Sequence, residues 1–163
     1  MINESLRSLA TPIDDLHTLP GNPRRGDIAA VARSLERFGQ RKPVVAQHAD
    51  GTIIAGNHTW KAAQQLGWRD IAAVAYDCDD ETALRILIAD NRATDLATYN
   101  DNELRAILEE LANTDAGLDG TLFDQDDLQH LIEKDTPLPE IKDDTPPITC
   151  PNCGEQITTA TPR

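Results

Sequence analysis

Apolar positions in residues 16–76 fall into short runs broken by turn residues, and from Asp79 onward they settle into a helical period. Residues 16–23 read as an extended lead-in that ends in the turn Pro20-Gly21-Asn22-Pro23. Ile28, Val31, Leu35 and Phe38 are spaced three, four and three apart. That is the stripe of one helix face, with Asp27 placed as N-cap and Gly39 as stop. Pro43-Val44-Val45-Ala46 and Thr52-Ile53-Ile54-Ala55 flank an Asp50-Gly51 turn, the pattern of a β-hairpin. Gly56 breaks the second strand; Trp60, Ala63 and Leu66 ahead of Gly67 predict a short helix, and residues 71–76 a further strand. Three helices should follow. One opens at Asp80-Glu81 and carries Leu84, Leu87 and Ile88. The next starts on a capping-box-like Asn100 and Glu103 and presents Leu104, Ile107, Leu108 and Leu111. Asp124 opens the last, with Leu128, Leu131 and Ile132. The pattern predicts an α+β unit over 14–99 and a helical extension over 100–133. Six of the ten prolines lie in 135–163, so 134–148 is expected to be a flexible acidic linker ahead of a short motif at 149–157.

A chain of 163 residues suits one domain and a tail rather than two domains of about 100–150 residues each. With aromatics at only 4%, the core must be built from Ala, Val, Ile and Leu. No run approaches the roughly 20 apolar residues of a membrane span. The first fifteen residues lack a basic start followed by an apolar stretch. Three cysteines make no disulfide framework. The expectation is a soluble, cytoplasmic protein with no membrane partner. The net charge of −13 is unevenly spread: residues 1–77 hold nine Lys/Arg against eight Asp/Glu, whereas 78–163 hold six against twenty. Neither half offers the clustered positive surface that drives non-specific DNA binding. The acidic half reads as a solvated, self-repelling surface, with DNA mimicry or docking on a basic partner as its alternative uses.

Three segments could carry chemistry. In the first, a buried strand runs through Gly56 into Asn57-His58-Thr59 and a helix start. Free N–H groups and the helix dipole there make a seat for an anion such as phosphate, and Gly56 permits close approach; Asn57 can equally be a simple cap. The second is Asn22-Pro23-Arg24-Arg25, where two guanidiniums on a Pro-fixed turn could grip phosphate, or could be an exposed basic turn. The third is Asp90-Asn91-Arg92, a carboxylate beside an amide oxygen, able to hold Mg²⁺ or to be an ordinary helix end. His58 is a weak candidate general base, with a packing or capping role as the competing reading. Trp60 and Trp68 fit core or hinge positions better than stacking platforms.

Taken in order, Asn22-Pro23-Arg24, Phe38-Gly39-Gln40, Pro43-Val44-Val45, Ala55-Gly56-Asn57-His58, Leu66-Gly67, Asp90-Asn91-Arg92 and Asp95-Leu96 resemble the plan of the ParB N-terminal domain, in the ParB/sulfiredoxin superfamily often labelled ParB-like nuclease. The resemblance spans about 14–113 and implies a small mixed sheet with helices. It implies a nucleotide, CTP or ATP, wrapped at the phosphates by Gly56, Asn57, His58 and Thr59, with Arg24 and Arg25 nearby and Mg²⁺ held by Asp90 and Asn91. ParB has Gly-Glu-Arg-Arg where this chain has Gly56-Asn57-His58-Thr59, so a phosphate-binding cation is replaced by Thr59. Sulfiredoxin's catalytic cysteine would fall at Asn57, which excludes reductase chemistry. ParB's Glu-Asn-x-x-Arg becomes Asp90-Asn91-Arg92-Ala93-Thr94, with the arginine displaced. Residues 100–132 resemble the extension of phage and actinobacterial members, beside which a DNA methyltransferase domain often follows. A DNA-modifying enzyme is therefore an expected partner, alongside DNA and nucleotide.

Cys150-Pro151-Asn152-Cys153-Gly154 resembles half of a zinc ribbon. Zn²⁺ takes four ligands, so Cys150 and Cys153 would need Cys78 and His130 or the same pair from a second chain, giving a zinc-clasped homodimer; a remnant or a redox pair are the alternatives. Three functional readings follow: a nucleotide-binding module acting in DNA transactions through a partner, an ATP-dependent kinase or nuclease of the same superfamily, and a non-catalytic interaction protein with a degenerate pocket. The nuclease reading lacks carboxylates at two-metal spacing.

Overall fold

In the structure, a computed structural model of the chain, residues 1–135, 148–149 and 156–157 are described. Five strands, β1 (Ala10–Pro12), β2 (His17–Thr18), β3 (Val44–Gln47), β4 (Thr52–Ala55) and β5 (Asp70–Tyr76), form one sheet in the order β1-β5-β3-β4-β2. The sheet is mixed: β3 and β5 run parallel, as do β2 and β4, while β3–β4 and β1–β5 are antiparallel. The predicted hairpin is β3–β4, with a register shift between Val45 and Ala46. Two features were not legible in the apolar pattern. β1 is a three-residue edge strand ending in Pro12, which an edge tolerates because one side needs no ladder donor. The extended lead-in shrinks to two paired residues, because the Pro20-Gly21 turn carries the chain off the sheet.

Helix α1 (Ile28–Phe38) and helix α2 (Asn57–Gln65) pack on each other. With Val44, Ala46, Ile53 and Ile71 of the sheet, Ala32, Leu35, Ala62 and Ala63 close the main core. Ile54, next to Ile53, points the other way by strand alternation, toward helix α3 (Asp80–Leu96), which lies against β4. The seam of α3 is narrow: Ala83 and Leu87 are buried one turn apart, while Leu84 and Ile88, expected on the apolar face, are 48% and 51% exposed. Buried Gln40 stitches the sheet, its side chain donating to the Ala72 carbonyl at 2.8 Å and accepting from the Ala72 N–H at 2.7 Å. Trp60 and Trp68 pack at the border of the core, as their placement suggested.

Helix α4 (Asp101–Ala112) packs against helix α5 (Gln125–Asp135) around Leu108, Leu118 and Leu128. Ile107, expected in that face, is exposed because Leu108 takes the buried position. The 113–124 connection, rather than either helix, meets α1: Asp119 pairs with Arg37 at 3.4 Å, and Gly120 sits where a Cβ would lie 2.4 Å from the Phe38 ring. Strands β6 (Ile148–Thr149) and β7 (Gln156–Ile157) pair antiparallel with each other. No described helix is long and apolar enough to cross a membrane.

The narrow seam of α3 makes a sharp contrast testable by urea unfolding. Leu87→Ala should cost about 2–5 kcal/mol, as buried leucine truncations do. Ile88→Ala, on the next residue, should stay within about 0.5 kcal/mol. Equal losses would contradict this description of the helix.

Candidate functional site

The site grows from the end of β4. Gly56 holds φ +90°, a left-handed conformation, and a Cβ there would lie 2.8 Å from Val44 Cγ1. The strand thus turns directly into α2 with Asn57, His58 and Thr59 as its first turn and no side chain capping it. Every other described α-helix is capped by its own chain: α1 by Asp27, α3 by Asp79, α4 by Asn100 and α5 by Asp124. The first N–H groups of α2 therefore face outward with the positive end of the dipole behind them.

Asn57 is not the cap that one reading proposed; it is the first helical residue, 7% exposed. Its Oδ1 is buried with no hydrogen-bond partner, and its Nδ2 reaches the Ile53 carbonyl only at 3.5 Å. Leaving such an acceptor unpaired costs about 1–3 kcal/mol, and only a donor relieves it. Asn91 Nδ2 is a second buried, unpartnered group, a donor this time.

The loop holding Arg24 and Arg25 is clasped between α2 and α3. Asn22 Oδ1 accepts from the Arg24 N–H at 3.1 Å, which shapes the turn. The Arg24 guanidinium donates to the Asn91 carbonyl at 3.0 Å and pairs with Asp95 at 2.7 Å. From the other side His58 donates to the Arg24 carbonyl and rests on Gly26, where a Cβ would lie 2.9 Å from the imidazole. The structure thus brings Arg24, Gly56, Asn57, His58, Thr59 and Asn91 into one neighbourhood. Arg25 and Lys61 are exposed and form no ion pair among the described residues, while Asp90 faces solvent on α3. Asp95 is the partner sequence reasoning missed; seventy-one positions separate it from Arg24, and no local pattern signals such a pair.

Electrostatics at the first turn of α2 favours anions. Burial pushes the His58 imidazole below its ordinary value of 6.5, with Lys61 and Arg24 adding to the effect. Its hydrogen bond to the Arg24 carbonyl opposes that shift. Among the described residues no group of three or more His, Cys, Asp and Glu side chains is placed to hold a metal ion. Cys150 and Cys153 lie outside the described residues, so the zinc expectation does too.

A strand entering an uncapped helix through a left-handed glycine, beside an arginine-bearing loop and on a small mixed sheet, defines a class of α+β domain built around a helix N-terminus. The family model of the ParB N-terminal domain matches residues 3–92. The chain belongs to that family. It is 34% identical over 67 residues to a nucleoid occlusion protein of Geobacillus thermodenitrificans, covering 39% of this chain and 24% of the relative. It is 29% identical over 93 residues to the chromosome-partitioning protein ParB of Caulobacter vibrioides, covering 52% and 31%. The chain therefore spans only about a quarter to a third of these curated relatives. A crystal structure of C-terminally truncated ParB from Caulobacter crescentus, complexed with CTP-gamma-S, superposes with a TM-score of 0.59 at 24% identity over 69% of each chain, a likeness of fold.

The lowered His58 pKa has a defined sign. The neutral ring belongs to the folded state, so its contribution is complete above pH 6.5 and declines as pH falls through 6.5 toward the folded-state value. His58→Gln should flatten that acid limb of Tm against pH relative to the parent chain. Parallel profiles would remove His58 from the clasp.

Proposed function

We propose that this chain is a ParB-like nucleotide-binding module whose phosphate seat is the first turn of α2. The observation that carries the reading is the uncapped start of α2, whose first N–H groups are claimed by no side chain. Phosphate oxygens accept from the free N–H groups of Asn57, His58 and Thr59, and the left-handed Gly56 keeps the approach open. Arg25 and Lys61, exposed and unpaired among the described residues, supply charge in place of the arginine that Thr59 replaces. Arg24 contributes by shaping the loop, since its guanidinium is already engaged by Asp95 and the Asn91 carbonyl. CTP or ATP is the ligand class, supported by family membership and by the CTP-gamma-S of the Caulobacter relative.

Mg²⁺ fits this arrangement as an ion that arrives on the phosphates. It keeps most of its waters and needs one or two carboxylates rather than a protein cage; Asp90 is the carboxylate the resemblance points to, but it faces solvent on α3, outside the neighbourhood of Arg24 and Asn91. Bound on the phosphates, it would neutralise their charge. The orphaned Asn91 Nδ2 is an N–H donor, which suits a phosphate oxygen rather than the cation itself. His58 serves the loop through its bond to the Arg24 carbonyl, and the reading includes no catalytic step.

The nucleoid occlusion and chromosome-partitioning relatives place DNA in the functional setting of the family. For this chain we assign DNA engagement to a partner. Residues 101–135 carry eleven Asp/Glu against two Lys/Arg, a poor surface for a phosphate backbone and a suitable one for a basic protein face.

Two outcomes are expected. In a thermal-shift panel of CTP, ATP, GTP and UTP with and without Mg²⁺, at least one nucleotide should raise Tm, because a ligand of the folded state alone stabilises it. Thr59→Arg should then tighten binding by about 1.5–3 kcal/mol through a charge-assisted contact. No shift with any nucleotide would refute the module; weaker binding by Thr59→Arg would displace the seat. Gly56 is unsuitable as a probe, since any side chain there collides with Val44. Separately, the isolated chain should bind duplex DNA weakly at physiological salt. Tight, salt-tolerant binding would contradict the partner assignment.

A further inference from the structure

Thr59, the third residue of the phosphate seat, also lines a cavity of about 250 Å³ bounded by α1, the turn carrying Arg41 and Lys42, and a residue from far along the chain, Leu122. Leu122 has three unusual properties at once. It is the one non-glycine residue with positive φ among the described residues, at +74°. It is 54% exposed although apolar and belongs to neither hydrophobic cluster. It comes from the 113–124 connection, beyond the residues that the family model matches.

Left-handed backbone is disfavoured for a branched side chain, and this connection uses glycine at its other left-handed positions, Gly117 and Gly120. The conformation is held from both sides. Asp119 pairs with Arg37 and Gly120 seats on Phe38 just before Leu122, while just after it Phe123 donates its N–H to Thr121 Oγ1 at 3.2 Å and meets Tyr99 edge-on at 5.9 Å. A strained residue that serves no core and is fixed at the mouth of a cavity calls for a role in what enters the cavity.

We infer that Leu122 is a ligand-contact residue: it covers the ring end of the nucleotide whose phosphates occupy the α2 start, so the helical extension completes the binding site. The inference rests on the phosphate-seat reading above. A cavity of this size takes a single heterocycle or a ribose rather than a whole nucleotide, leaving the phosphates to α2. Leu122 lines the cavity together with Val31 and Leu35 of α1, which gives it the apolar surface that a ring face needs.

The test compares binding of Mg²⁺-CTP, Mg²⁺-ATP and inorganic tripolyphosphate to the full chain and to Leu122→Gly, with Leu122→Asn as second variant. Both replacements tolerate left-handed backbone, so the fold should melt at or above the parent temperature. The nucleotide that the parent binds should lose about tenfold in affinity, of the order expected for one leucine's apolar contact. Tripolyphosphate affinity should stay unchanged. Unaltered nucleotide affinity in both variants overturns the inference and leaves the phosphate seat standing. Equal loss for nucleotide and tripolyphosphate, or a lowered Tm that tracks the binding loss, overturns it as well by making Leu122 structural. A parent chain that binds none of the three ligands overturns the seat itself, and this inference with it.

Discussion

The junction between β4 and α2 is the constraint on which the rest depends. The strand is buried on both faces, by the α1–α2 core on one side through Ile53 and by α3 on the other through Ile54. A chain leaving such a strand has no room to loop outward before starting a helix. It must turn within one residue, and only glycine holds the left-handed conformation with Val44 so close. That economy leaves no position for a capping side chain, so the helix starts with its donors bare. The proposed anion seat is thus a by-product of how tightly the sheet is covered.

The surrounding elements are arranged around that bare start. The loop of Arg24 is clasped by His58 from α2 and by Asp95 and Asn91 from α3, so its position reports on both helices. The 113–124 connection reaches over α1 to line the cavity beside Thr59. Three separated stretches of sequence therefore meet at one helix terminus. Their mutual contacts are polar or small, which leaves space for a charged ligand with an organic end.

Much of this was legible in the sequence where the signal is local. The hairpin, the Asp27 and Asn100 caps, the Gly39 stop and the helix periods of α1, α4 and α5 each follow from neighbouring residues. Gly56 through Thr59 stood out only in combination with the other segments of the ParB-like plan, since a Gly-Asn junction between strand and helix is common on its own. What the sequence hid is pairing over distance and depth of burial. β1 is three residues ending in proline, too short to carry a period. The exposure of Leu84, Ile88 and Ile107 depends on which side of a helix finds a partner, which an apolar stripe alone does not say. The Arg24–Asp95 pair and the left-handed Leu122 arise from tertiary contacts, and neither residue type advertises them.

The central claim is that the bare first turn of α2 receives phosphate. Amide-resolved NMR titration of the full chain with Mg²⁺-CTP and Mg²⁺-ATP tests it most directly, because a hydrogen bond to phosphate moves the N–H that makes it. The account predicts the largest perturbations at the backbone amides of Asn57, His58 and Thr59 and at the Asn57 side-chain amide, saturating together. Perturbations centred on any other helix terminus, with those amides unmoved at saturation, would contradict it.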